Sequence, residues 1–224
     1  MQTRMLCPSG LVGLVLLSTP LIASGDEPGA VVISELMWSG SAASSADEWI
    51  ELYNRGSEPV DLVGWTITRV GDDGETVMVE IEEGLILPDS VFLISNYDHD
   101  DARSRLATAP DLVSATVSLP NTKLRLRLYD GQPETADLVD EVDDGTGAPF
   151  GGHGGETRAS MVRLALDAPG SSEDAWSTAD MAVGWDPGAT ELGTPGSLPA
   201  STSGDGDATQ VSARLWSQIK MRYR

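Results

Sequence analysis

Asp47-Glu48-Trp49-Ile50-Glu51-Leu52-Tyr53-Asn54 is followed at once by Arg55-Gly56-Ser57-Glu58-Pro59. In the first run Ile50 and Leu52 share one face while Glu51 and Tyr53 point the other way, the period of two that marks a strand with one face in a core. The second run is a turn, rich in the residues that break strands. The same unit recurs in both directions along the chain. Upstream, Val31-Val32-Ile33-Ser34-Glu35-Leu36-Met37 opens the pattern, and a Ser/Ala loop over 39–46 follows. Downstream, Gly64-Trp65-Thr66-Ile67-Thr68-Arg69-Val70 alternates again, and Gly71-Asp72-Asp73-Gly74 is a hairpin signal leading into 76–81. Val91-Phe92-Leu93-Ile94 reads as a buried strand, and 112–118, 124–129, 138–142 and 160–164 as further strands. No stretch of the body sustains a helical period. Short, evenly spaced strands punctuated by Gly and Pro predict an all-β sandwich or barrel.

The two ends differ from this body. Arg4, an apolar run from Leu11 to Ile22, and the small residues Ala23-Ser24-Gly25 before Asp26 have the layout of an export signal. The apolar run contains Pro20 and is shorter than the roughly 20 residues a membrane span needs. An uncleaved N-terminal anchor is the alternative reading. The expected division is a signal over 1–25, a β-sandwich over 26–199 and a flexible linker with a basic tail over 200–224. In that tail Val211, Leu215 and Ile219 recur every four residues, flanked by Arg214, Lys220, Arg222 and Arg224. The spacing would suit a short amphipathic helix that touches anionic lipid, folds back on the acidic body, or stays disordered. The single cysteine, Cys7, falls within the signal. A mature chain would therefore have no disulfide, thiolate metal site or cysteine nucleophile.

Charge narrows the class of partner. The chain has 35 acidic and 14 basic residues, a formal net charge of −21. Such a surface repels phosphate backbones, so nucleic acid is an unlikely partner.

Several ordered words carry a family resemblance: Val32-Ile33-Ser34-Glu35, Met37-Trp38-Ser39-Gly40, 47–54, and Val60-Asp61-Leu62-Val63-Gly64-Trp65-Thr66-Ile67. Later come Leu119-Pro120-Asn121, Ser160-Met161-Val162-Arg163, Asp174-Ala175-Trp176 and Gly193-Thr194-Pro195-Gly196. Together these resemble bacterial lamin-tail domains from Val31 to Ser197. The resemblance implies an immunoglobulin-like β-sandwich. It also implies an accessory role, in surface attachment or protein contacts, for an exported protein.

Candidate sites follow from residue types out of place. Glu35 and Glu51 lie within strands, where a carboxylate must be exposed or paired. Arg163, in the closing strand, is expected to bridge one of them, and Glu48 belongs to the same set. A structural ion pair or hydrogen-bonded clasp is preferred to a catalytic role. Trp38 and Trp49 are candidate binding anchors, since Trp is enriched at interface hot spots, although packing beneath loops is the competing reading. The acidic clusters 98–101 and 140–144 lack the spacing of a calcium loop, so no cofactor is anticipated, with Ca2+ at these loops the alternative reading. His99 and His153, the only histidines, are too few for zinc or triad chemistry. The expected function is a secreted or cell-surface, non-catalytic binding or structural module with a protein or surface ligand as partner. Membrane contact is expected only through the signal or the tail. The alternative is a small secreted hydrolase using carboxylates and a divalent cation, recognisable by carboxylates converging in a cleft.

Overall fold

A computed structural model describes residues 29–198. The proposed signal with Cys7 and the tail over 200–224 lie outside the described residues. Twelve strands and one short 3-10 turn are present in the described residues. They are β1 (Val31–Met37), β2 (Trp49–Asn54), β3 (Val60–Asp61), β4 (Thr66–Gly71), β5 (Gly74–Glu80) and β6 (Leu85–Ile86). There follow β7 (Val91–Ser95), β8 (Leu112–Val113), β9 (Leu126–Tyr129), β10 (Leu138–Val142), β11 (Met161–Arg163) and β12 (Trp176–Thr178).

Six strands form one sheet in the order β12-β11-β1-β2-β7-β8, and four form a second in the order β10-β9-β4-β5. A two-stranded ribbon, β3-β6, stands apart. Inward-facing residues of both sheets join a single core. Ile33, Ile50 and Leu52 come from the first sheet, and Ile67, Leu126 and Leu128 from the second. This is an all-β, immunoglobulin-like sandwich, with sheets stacked through the side chains that alternation points inward. The hairpin at 71–74 closes β4 onto β5, with Gly71 opposite Gly74. The expected strand over 112–118 is shorter than its sequence suggested. Only Leu112–Val113 pairs, parallel to β7, after which Val117 and Leu119 enter the core from a loop.

The outer face of the six-stranded sheet is covered as well. Met37, Trp49, Leu93 and Leu106 form a second buried cluster, with Trp185 packed against it. Leu106 and Trp185 lie in irregular chain and bridge to each other. The large sheet is thus buried on both faces, inward by its partner sheet and outward by loops, which is why all seven residues of β1 are buried.

Candidate functional site

A β-bulge decides where the unusual carboxylates go. Across β1 and β2, Ile33 lies opposite Leu52, and the next partners are Glu35 and Glu51, so Ser34 is an extra residue. A one-residue insertion reverses which side chains face which way. Ile33 and Leu36 therefore both point into the sandwich, while Glu35 and Met37 reach the outer face. There Glu35 lies directly opposite Glu51, and both are completely buried.

Hydrogen bonds from the closing segment hold this pair. Glu35 Oε1 accepts from Ser160 Oγ and from the Thr194 amide (2.8 Å), and Oε2 accepts from Thr194 Oγ1 (2.5 Å). Glu51 Oε1 accepts from Ser34 Oγ at 2.9 Å, and Oε2 from the Gly196 amide at 2.8 Å. Burial raises both carboxyls above their ordinary range, and for Glu51 the charge of Glu35 adds to that rise. The donated hydrogen bonds work in the opposite direction. Gly193 is required by the close approach. Its φ is +151°, and an added Cβ would lie 2.8 Å from Ser160 Oγ and 2.9 Å from Glu35 Oε1.

Arg163 does not bridge Glu35 or Glu51, which corrects the expected pairing. Its partner is Asp140 on β10, with Nη1 2.7 Å from Oδ2 and both side chains buried. Asp140 Oδ2 also accepts from the Ile33 amide at 2.8 Å, and Arg163 Nη1 donates to the Ile33 carbonyl at 3.3 Å. Arg163 Nη2 donates to the Ala168 carbonyl at 2.6 Å, and its guanidinium stands 5.5 Å from the Trp176 ring. The pair thus ties the two sheets together and grips β1 immediately before the bulge. The strand pattern contained a usable signal, because Asp140 shares a face with the buried Val142.

Glu48 braces a different segment. Its Oε2 accepts from the Leu119 amide at 2.9 Å, holding the loop that carries Val117 and Leu119. Burial pushes this carboxyl up to about 7, against the lowering effects of the Leu119 amide and the Arg69 charge.

Neither tryptophan is a surface anchor. Trp38 is 9% exposed, sits in the main core and donates from Nε1 to the Gly151 carbonyl at 2.9 Å. Trp49 is fully buried, its ring centroid 6.1 Å from that of Trp185 at a tilt of 55°. Both lie beneath loops: the bulge carries Met37 to Trp49's face of the sheet, and the glycine-rich loop over 151–155 folds against Trp38.

The acidic clusters are largely engaged within the chain. Asp98 meets His99 at 2.6 Å, and Arg103 reaches Asp101 with two nitrogens, lowering that carboxyl to about 2. Glu141 meets Arg125 at 3.0 Å and Arg127 at 2.6 Å. Asp143 accepts from the amides of Asp144 and Phe150. Among the described residues no three His, Cys, Asp or Glu side chains are grouped to hold a metal ion. His153 lies in its loop, its backbone paired with Ala159.

What sequence reasoning missed is an edge. β5 ends the four-stranded sheet, and its residues from Gly74 to Val77 are exposed. On the outer face beside it, Glu75 accepts from Thr68, Tyr129 and Arg127.

Comparison with known proteins adds one match. The family model described as Lamin Tail Domain matches residues 25–145. No curated protein matches the chain. The family match stops short of β11, β12 and the closing segment, although β11 pairs directly with β1 and the closing segment caps Glu35 and Glu51.

Proposed function

Given that this chain belongs to the lamin tail domain family, we propose that it is an exported, non-catalytic binding or structural module, acting at the cell surface or outside the cell. The observation that carries this reading is where the chemically capable side chains are used. Glu35, Glu51, Asp140 and Arg163 are buried and hydrogen-bonded to the chain's own strands and closing segment. They act as braces. Glu35 and Glu51 are the opposed carboxylates on which a hydrolase mechanism would rest, and Thr194 and Gly196 cap them. What the described residues leave to meet a partner is a strongly acidic exterior with loop tips and the open edge of β5. Sandwich domains commonly bind through such features. Its partner is a protein or surface ligand with cationic character, and nucleic acid is disfavoured by charge. The module works without a cofactor, and calcium titration is expected to leave its melting temperature unchanged.

The test is to express the full chain in a bacterial host and measure its location and intact mass. Recovery outside the cytoplasm, with mass loss corresponding to residues 1–25, supports the reading. Retention of the unprocessed chain in the cytoplasm overturns the export element. Hydrolysis of glycoside, ester or peptide substrates that Glu35→Gln abolishes without unfolding the protein overturns the non-catalytic element.

A further inference from the structure

β5 is an edge strand with its backbone available. Its register sets Glu75 opposite Val70, and Val77 opposite Thr68, on β4. The Val70 amide donates to the Arg125 carbonyl, away from β5. In an antiparallel ladder the residues opposite each other alternate between bonded and non-bonded pairs. Val70–Glu75 is therefore a non-bonded pair, and so is Thr68–Val77 two residues on. The amides and carbonyls of Glu75 and Val77 consequently face the open edge. Among the described residues, the backbone of 74–80 makes no hydrogen bond to a loop or turn.

This edge is set in a one-signed stretch. Residues 71–84 contain Asp72, Asp73, Glu75, Glu80, Glu82 and Glu83 and no Lys or Arg. Asp72 meets Lys123, and Glu75 meets Arg127. Asp73, Glu80, Glu82 and Glu83 have no ion-pair partner among the described residues. An exposed edge strand is a template for another strand, and like charge on it repels a second copy of itself. An added strand must therefore be basic.

The chain contains a segment of that composition. Ile219-Lys220-Met221-Arg222-Tyr223-Arg224 alternates strictly between apolar and basic residues. As a strand it would place Ile219, Met221 and Tyr223 on one face and three cations on the other. The apolar face would continue the layer to which Met78 and Val79 contribute. The cations would lie on the outer face that carries Glu75 and Glu80. Residues 199–218 separate this segment from the last described residue. Twenty residues can reach at most ~65 Å. A body of this size has a radius of gyration of about 15 Å, so the edge is within reach. We propose that Ile219–Arg224 docks in cis on the open edge of β5 as an added antiparallel or parallel strand, closing the four-stranded sheet with the chain's own basic segment.

Amide hydrogen exchange tests this, comparing the full chain with a variant lacking residues 200–224. The Glu75 and Val77 amides are expected to exchange about tenfold or more slowly in the full chain, the protection a newly formed ladder confers. Deletion should abolish that protection, and a synthetic peptide of residues 210–224 should restore it in a salt-sensitive manner. Reversing the charges, as Lys220→Glu with Arg222→Glu and Arg224→Glu, should abolish it while the far-UV circular dichroism of the folded body is retained. Val77→Pro, which removes only an edge-facing amide, should abolish protection at Glu75. Equal exchange of 74–80 with and without residues 200–224 overturns the proposal. So does protection that rises with protein concentration, which would mean a second copy. Protection of the basic segment only on phosphatidylglycerol vesicles would likewise overturn it.

Discussion

Arg163 and Asp140 illustrate why a charge inside a β-sandwich needs its whole surroundings to be understood. Each also serves the backbone of Ile33, so removing one leaves a buried charge and an unmet backbone group. Arg163→Ala is expected to cost about 3–5 kcal/mol in chemical denaturation. Replacing both, as Arg163→Met with Asp140→Leu, should recover only part of that loss, because Ile33 would still lack its donor and acceptor. Glu48 gives a different signature. Its carboxyl titrates at about 7 in the fold against 4.5 ordinarily, so the native state holds the proton more tightly. Its contribution is complete below pH 4.5 and is lost as pH climbs through 7, on the order of 3 kcal/mol. Glu48→Gln keeps an acceptor for the Leu119 amide without the charge. Melting curves at pH 5 and pH 8 should therefore differ less in the variant than in the parent.

At the scale of elements, the closing segment and β1 depend on each other. The bulge at Ser34 turns Glu35 outward, and Glu35 in turn receives Thr194 through both its amide and its hydroxyl. Thr194→Val deletes the hydroxyl donor and strips the buried Glu35 Oε2 of its one hydrogen bond among the described residues. A loss of about 1–3 kcal/mol follows, with faster proteolysis within 193–197 than elsewhere as the measurement. Cleavage that stays unchanged would show that the backbone bonds of Thr194 and Gly196 to Glu35 and Glu51 suffice to hold the segment. Burial raises Glu35 and Glu51, so this clasp has the same sign as Glu48. It is firmest when the pair is protonated and loosens as pH rises above the ordinary carboxylate range.

For the whole molecule, charge dominates the response to solution conditions. A net charge of −21 makes the compact state repel itself, and salt screens that repulsion. The raised carboxyls of Glu35, Asp47, Glu48, Glu51 and Asp140 add to the same trend. The melting temperature is therefore expected to rise with added salt at pH 8. It should also be higher at mildly acidic pH than at pH 8. A melting temperature that falls with salt would mean that attractive surface pairs such as Arg127 with Glu75 and Glu141 outweigh the net repulsion.

Period-two alternation, turn residues at 55–59 and 71–74, and the ordered family words were enough to reach the all-β sandwich. Those signals are local, and each strand announces which of its faces is apolar. The site was legible only in part. Glu35, Glu51 and Arg163 stood out because charge within a strand is costly, but their partners did not. Which carboxylate meets Arg163 depends on stacking β10 over β1 and β11, a contact between residues 23 positions apart in different sheets. Whether Trp49 faces solvent depends on loops folding over a sheet face that alternation alone would leave open, and whether Trp38 does depends on the glycine-rich loop over 151–155 folding against it. The bulge at Ser34 decided the rest. It changes no residue in the sequence, yet it reverses which side chains face the core, and only pairing with β2 reveals it.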